Sequence, residues 1–427
     1  MSALLVRGGT LVTPGGTMRG DVLLEGERIA AVGAGLPRPA AAQALDADGL
    51  LVLPGLIDPH VHLREPGGTH KEDFTSGTAA ALAGGFTAVL AMPNTDPPIT
   101  DRATLQEAIR LVQARALCDV GLFLGATAEN AAEAAALAEP VGLKLYMGAS
   151  TGDLLVADVA GLVAHFGAYP PPRPLAVHAE DDEAVAWFTA RGQGRPPLCA
   201  HLALARALTL AGHFRRRLHV CHLSTGEELA MVRAARQHGL PVTCEVTPHH
   251  LFLHSGNAQQ LGPLGRVNPP LRQPADVAAL WAGLEAVDCI ASDHAPHTLE
   301  EKQCQHPAAG LPGLETALPL LLTAAAAGRI TLPTISRLMG EGPARAFGLQ
   351  HKGRLAPGCD ADLTLVDPTA EWTVGEPPFH TRCGWSPFAG WKIKGRVERV
   401  FLRGQLAYAA GHLLLEPGSG RLLLPTS

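Results

Sequence analysis

The hydrophobic pattern changes rhythm twice along the chain. Up to about residue 53, short apolar runs are cut by glycine: 3–7 stops at Gly8-Gly9, 21–25 at Gly26 and 29–32 at Gly33. That is the punctuation of short β-strands joined by tight turns. From about Gly353 the pattern returns, with strand-like runs at 361–366 and 397–402. Between these ends, strand candidates at 50–58, 86–92, 119–125, 141–146, 175–178, 218–222, 242–246 and 287–293 alternate with helical stretches. Leu105, Ile109 and Val112 share one face of a helix over 101–116, and Thr225-Gly226-Glu227-Glu228 is a capping box opening a helix that ends near Gly239. Eight strands alternating with helices predict an α/β fold, a (β/α)8 TIM barrel over residues 54–352. The two ends, 1–53 and 353–427, are expected to meet as a small composite β-sandwich domain.

Composition narrows the class without naming a chemistry. The chain has 427 residues, 47% of them hydrophobic and 17% charged, as in an ordinary globular protein. A formal charge of −6 offers no basic footprint for nucleic acid. No apolar run approaches the roughly 20 residues that span a bilayer. The N-terminus lacks the basic flank and cleavage pattern of a signal peptide, and the expected address is cytoplasmic. The eight cysteines are scattered with no C-x-x-C pair, which indicates neither a disulfide framework nor a zinc ribbon. A small-molecule substrate remains.

The polar residues gather where the strand candidates end. His60 and His62 follow the first at a spacing that puts both on one side of a strand, where two imidazoles suit a divalent metal such as zinc. Pro93-Asn94 follows the second. Lys144 lies on the fourth, His178 ends the fifth and Cys221-His222 the sixth. Glu245 lies on the seventh, with His249-His250 beyond it, and Asp293-His294-Ala295-Pro296-His297 closes the eighth. A lone histidine at a strand end is usually structural. Seven ends out of eight carrying such residues mark the face where barrel enzymes build their sites. Lys144 would point its ammonium into the barrel, where an unpaired cation is costly. It either reaches the rim or a carboxylate such as Asp153, or loses its proton and adds carbon dioxide to become an anionic carbamate.

Six segments carry a resemblance: 54–66, Thr69-His70-Lys71-Glu72-Asp73-Phe74, Ala91-Met92-Pro93-Asn94-Thr95, 142–146, Cys244-Glu245-Val246-Thr247-Pro248-His249-His250 and 291–302. In them the chain resembles, nearly end to end, the dihydroorotases of the amidohydrolase superfamily. It is similar in particular to the dihydroorotase domain of the animal multifunctional pyrimidine-synthesis protein and to its bacterial relatives. The resemblance implies the reversible cyclisation of N-carbamoyl-L-aspartate to L-dihydroorotate in de novo pyrimidine biosynthesis. It also implies two Zn2+ per chain: His60, His62 and Asp293 on the first, His178 and His222 on the second. A carbamate on Lys144, formed from carbon dioxide, and a hydroxide would bridge them. Asp293 doubles as the catalytic proton shuttle, and Arg64, Asn94, Asn268 and His297 match substrate-binding positions. In some relatives the residues matching Cys221 and Glu245 take a further zinc.

The chain departs from the animal domain after Lys144, where Gly148-Ala149-Ser150-Thr151-Gly152-Asp153 replaces a bulkier loop. Ser150 and Thr151 are the candidates there for closing over substrate. A homodimer and an association with aspartate carbamoyltransferase are expected partners. Two rival readings share much of the pattern. Dihydropyrimidinases, hydantoinases and allantoinases share the ligands but need no carboxylate-reading Arg64, and an inactive scaffold homologue would have lost ligands that this chain keeps.

Overall fold

The computed structural model describes residues 3–149 and 154–425. Five strands come first: β1 (Ala3–Thr13), β2 (Gly16–Glu25), β3 (Arg28–Gly33), β4 (Gln43–Asp46) and β5 (Leu51–Pro54). Eight follow in the middle: β6 (Leu56–Val61), β7 (Phe86–Ala91), β8 (Asp119–Gly125), β9 (Gly142–Tyr146), β10 (Leu175–His178), β11 (Leu218–Val220), β12 (Val242–Val246) and β13 (Cys289–Ile290). Four close the chain: β14 (Leu363–Thr373), β15 (Lys392–Leu402), β16 (Gln405–Ala409) and β17 (His412–Leu413).

The middle eight pair in sequence order, all parallel, and make the barrel. The last strand is too short to zip against the first by a full ladder. A parallel bridge between Val61 and His294, with the His62 N–H donating to the His294 carbonyl at 2.7 Å, joins them instead. Buried Asp58 adds a side-chain bridge, accepting from the Ser292 N–H at 3.1 Å and from the His60 N–H at 3.1 Å.

These strands read as continuous apolar runs because both faces are covered. Ile57, Leu90, Phe123, Ala176 and Cys289 pack inside with Phe347, while Val89, Leu143, Leu145, Val177 and Val220 pack outside against helices. Helix Arg102–Arg115 is capped by Asp101 and buries Leu105 and Val112, with Ile109 half-buried; helix Gly226–Gln237 opens on the Thr225–Glu228 capping box.

The nine remaining strands form a second sheet, ordered β17-β16-β15-β14-β5-β1-β2-β3 with β4 beside β1. The two ends of the chain therefore do meet, with a core of their own that includes Val6, Leu24, Val52, Leu363 and Phe401. The apolar run 50–58 is two strands rather than one. Leu51–Pro54 pairs with β1 and β14 in this sheet, and only Leu56 onward enters the barrel. The change of sheet falls at Gly55, where a Cβ would collide with the Thr87 and Asp362 side chains. No helix among the described residues is long and apolar enough to cross a membrane.

Candidate active site

At the C-terminal end of the barrel a small cavity opens among the strand ends. His60, His62, Arg64, Asn94, Lys144, His178, His222, Asn268 and Asp293 all line it, so nine of the ten site residues expected from sequence converge. His60 Nε2 and His62 Nε2 lie 3.4 and 3.2 Å from Asp293 Oδ1. His60 Nδ1 turns the other way, to Glu245 Oε1 at 2.5 Å, and His62 Nδ1 meets Asn94 Oδ1 at 2.6 Å. Each ring is thus fixed through one nitrogen, leaving the other for the cavity.

The second group lies across the floor. His178 Nδ1 and His222 Nε2 face each other at 3.1 Å, and His222 Nδ1 is buried without a hydrogen-bond partner among the described residues. Lys144, fully buried, places Nζ 3.0 Å from Cys221 Sγ and 5.1 Å from the centre of the Tyr146 ring. Burial holds His62 down to about 4 and lowers His178 and His222, so all three are neutral imidazoles at pH 7 with lone pairs to give. On His60, burial and the Lys144 charge oppose a proton, yet Glu245 and Asp293 on its two sides raise it to about 10. Asp293 and Glu245 are themselves held well below the usual carboxylate range: burial opposes this, and the charge of His60 leads the groups that override it. Neutral imidazoles converging beside ionised carboxylates are the donor set of divalent metals.

His60, His62 and Asp293 form one ligand-competent cluster and His60, Cys221 and Glu245 another, each with donor atoms within 4.8 Å of one another. A third, Asp119, Asp360 and Asp362, already holds the Lys352 ammonium.

Arg64 is buried at the cavity wall. Its Nε donates to the Pro296 carbonyl at 3.2 Å and its Nη2 lies 3.2 Å from His297 Nε2. Two acids close to it in sequence are taken elsewhere, Glu65 by Arg115 at 2.6 Å and Asp73 by Arg382, while the Asp293 carboxylate across the cavity supports its charge. Arg64 reaches the cavity through a left-handed backbone, φ +61°, rather than as a continuation of the strand; His222 (+35°) and Asp293 (+46°) share that sparsely populated region. Non-glycine residues hold such conformations only where their surroundings over-determine them, commonly at functional sites. His297 does not line the cavity. It stands behind Arg64, wedged between that guanidinium, Glu301 and the Ala309 carbonyl.

Several residues of the site escaped the sequence reading. Glu180 receives His178 Nε2 at 3.2 Å and is paired in turn with Arg195 at 2.8 Å. His219 backs Glu245 at 2.9 Å. Tyr146, whose buried hydroxyl has no partner among the described residues, lines the cavity together with Val267, Ala309 and Gly310. Tyr146 had a signal, two residues after Lys144 on one strand face, as did Glu180, two after His178. Ser150 and Thr151 lie outside the described residues.

A model of the amidohydrolase family matches residues 51–407. The chain belongs to that family. As an amidohydrolase it is a hydrolase enzyme, and its relatives narrow the class. It is 42% identical to the multifunctional protein CAD of Squalus acanthias over 92% of this chain, which spans only 16% of that much longer protein. It is 37% identical to a dihydroorotase of Methanothermobacter thermautotrophicus, covering 90% of this chain and 89% of the relative. With a dihydroorotase of Pyrococcus furiosus it shares 39% identity over 88% and 86%. Among solved structures this amidohydrolase superposes on the L-hydantoinase (dihydropyrimidinase) from Arthrobacter aurescens with a TM-score of 0.94 at 29% identity, over 99% of both chains. The dihydropyrimidinase from Brevibacillus agri gives 0.89 at 27%, over 99% of this chain and 98% of the other.

Proposed function

We propose that this amidohydrolase is a dihydroorotase, interconverting N-carbamoyl-L-aspartate and L-dihydroorotate. The observation that carries the reading is Arg64: a buried guanidinium facing the cavity, whose hydrogen-bond partners among the described residues are a carbonyl and an imidazole. Buried charges are normally paired. A substrate carboxylate would complete this one, through the planar fork that suits carboxylates. The hydantoinase reading, favoured by the structural neighbours, gives that guanidinium no carboxylate to bind, because hydantoin and dihydrouracil carry none.

His60, His62 and Asp293 would hold one divalent metal and His178 and His222 a second, with Lys144, carboxylated by carbon dioxide, reaching both. When bound, such a pair supplies a water activated at neutral pH and a Lewis acid for the amide carbonyl. The chain's own groups do the rest. Arg64, with His297 behind it, and Asn94 orient the substrate carboxylate and ring, while Asn268 closes the opposite side. Asp293, held ionised, takes the proton of the attacking water on its carboxylate and returns it to the departing amide nitrogen in hydrolysis; in cyclisation it accepts the proton of the attacking ureido nitrogen and passes it to the departing oxygen, which leaves as water. Residues 54–352 act in this reading as the catalytic domain, and 1–53 with 353–427 as the composite domain that braces it. The homodimer and the association with aspartate carbamoyltransferase belong to the same proposal. A panel of dihydroorotate, dihydrouracil, hydantoin and allantoin, assayed on metal-analysed protein, tests it. Turnover concentrated on dihydroorotate is expected, and preference for hydantoin or dihydrouracil would replace the reading with the neighbours' own.

A further inference from the structure

Lys302 ends the last of the segments that carry the resemblance, yet nothing above uses it. Its side chain is among the largest fully buried ones in the protein. An ammonium group has three donors. Each finds a backbone carbonyl: Arg266 at 2.8 Å, Ala308 at 3.0 Å and Gly310 at 3.0 Å. The Trp385 ring lies 5.6 Å away. Burial pushes the ammonium down to about 8, which measures how unwelcoming the position is to a cation that does not find these acceptors.

The three carbonyls belong to two separate loops. Both loops wall the cavity, since Val267 and Asn268 follow Arg266, and Ala309 lies between Ala308 and Gly310. One further bond, from the Gly310 N–H to the Arg266 carbonyl at 3.0 Å, ties the same pair of loops together. Gly310 also leaves no slack toward the interior, since a Cβ there would meet the Ala295 carbonyl at 2.6 Å. Apart from that backbone bond, the two loops are held together from behind by the Lys302 ammonium.

We infer that Lys302 is a positioning residue for substrate, fixing both loops at the spacing that the bound ring requires; the choice of substrate rests on the dihydroorotase reading. Lys302 sits in the helix Leu299–Gln303 and contacts carbonyls rather than the cavity or the metal-ligand candidates. Its loss should therefore weaken substrate binding and leave the chemistry in place.

The test is Lys302→Met, similar in length but without donors, in the full, metal-loaded chain. The KM for dihydroorotate is expected to rise about tenfold or more while kcat stays within about threefold. Metal content per chain should match the wild type. Amide hydrogen exchange should speed up in 266–268 and 308–311 and stay unchanged in the barrel strands. Lys302→Arg, which keeps the charge and the donors, should recover part of the KM. Unchanged KM and unchanged loop exchange in Lys302→Met would overturn the inference. So would a loss of protection spread over the whole barrel, or failure of both variants to fold, because the lysine would then serve the fold. The exchange readout needs no substrate, so it decides the loop assignment even if the wild type proves inactive on dihydroorotate.

Discussion

Arg64 and Lys144 are basic side chains buried at the cavity, and each invites a different test. For Arg64, methionine preserves most of the side-chain volume and removes the charge. Arg64→Met should keep its metal and lose at least about tenfold in kcat/KM on dihydroorotate, because a charge-assisted hydrogen bond is worth ~1.5–3 kcal/mol. Any slow turnover of dihydrouracil, which has no carboxylate to offer, should hardly change; equal losses on both substrates would assign Arg64 to the fold. For Lys144, the carbamate reading predicts that Lys144→Ala loses most bound metal and activity, and that short carboxylic acids restore part of both. Metal analysis with and without added acetate checks this. At this scale the sequence told which residues gather at the cavity, because the histidines and Asp293 sit at strand ends. It did not show what Arg195, His219 and Lys302 do, because they act through partners up to 36 residues away in the chain. No local spacing encodes such a meeting.

The strands deliver chemistry because their C-terminal ends are where pairing stops and side chains turn into open space. Eight parallel runs were legible from their two-sided hydrophobicity. The division of the first run was not, because both halves are fully buried and apolar, and only Gly55, pressed between Thr87 and Asp362, separates them. Helix Leu314–Ala326 shows how elements are tied through a buried carboxyl. Its Glu315 accepts the His380 and Thr381 N–H groups at 3.0 Å, and burial pushes its carboxyl up to about 7. A folded-state pKa above the unfolded value near 4.5 means that the contribution is fully present below about 4.5 and lost as pH rises through 7, at a cost of roughly 3 kcal/mol. Glu315→Gln should therefore gain stability relative to wild type between pH 5 and pH 8. Parallel urea titrations at the two pH values measure it, and a constant difference would refute the assignment.

Across the whole molecule, barrel and sheet are pinned by one buried charge cluster. Lys352 Nζ lies 2.6 Å from Asp119 on β8, 2.7 Å from Asp362 beside β14 and 2.9 Å from Asp360, while Arg403 also pairs with Asp119. Lys352→Met leaves carboxylates buried without their cation and should cost about 3–5 kcal/mol. The urea midpoint should fall accordingly, whereas a shift below about 1 kcal/mol would show that Arg403 suffices. The glycine-cut strands at both ends were readable, but their partnership was not, because a register such as Leu363 opposite Pro54 joins segments with no shared local pattern. That register also sets a timetable for synthesis. β5 pairs with β1 on one side as soon as both emerge, but its other edge waits for β14, about 300 residues later. At about 5–20 residues per second that is on the order of 15–60 s. During translation the Leu51–Pro54 edge stands open, and a neighbouring nascent copy on the same messenger can reach it before the chain's own tail arrives.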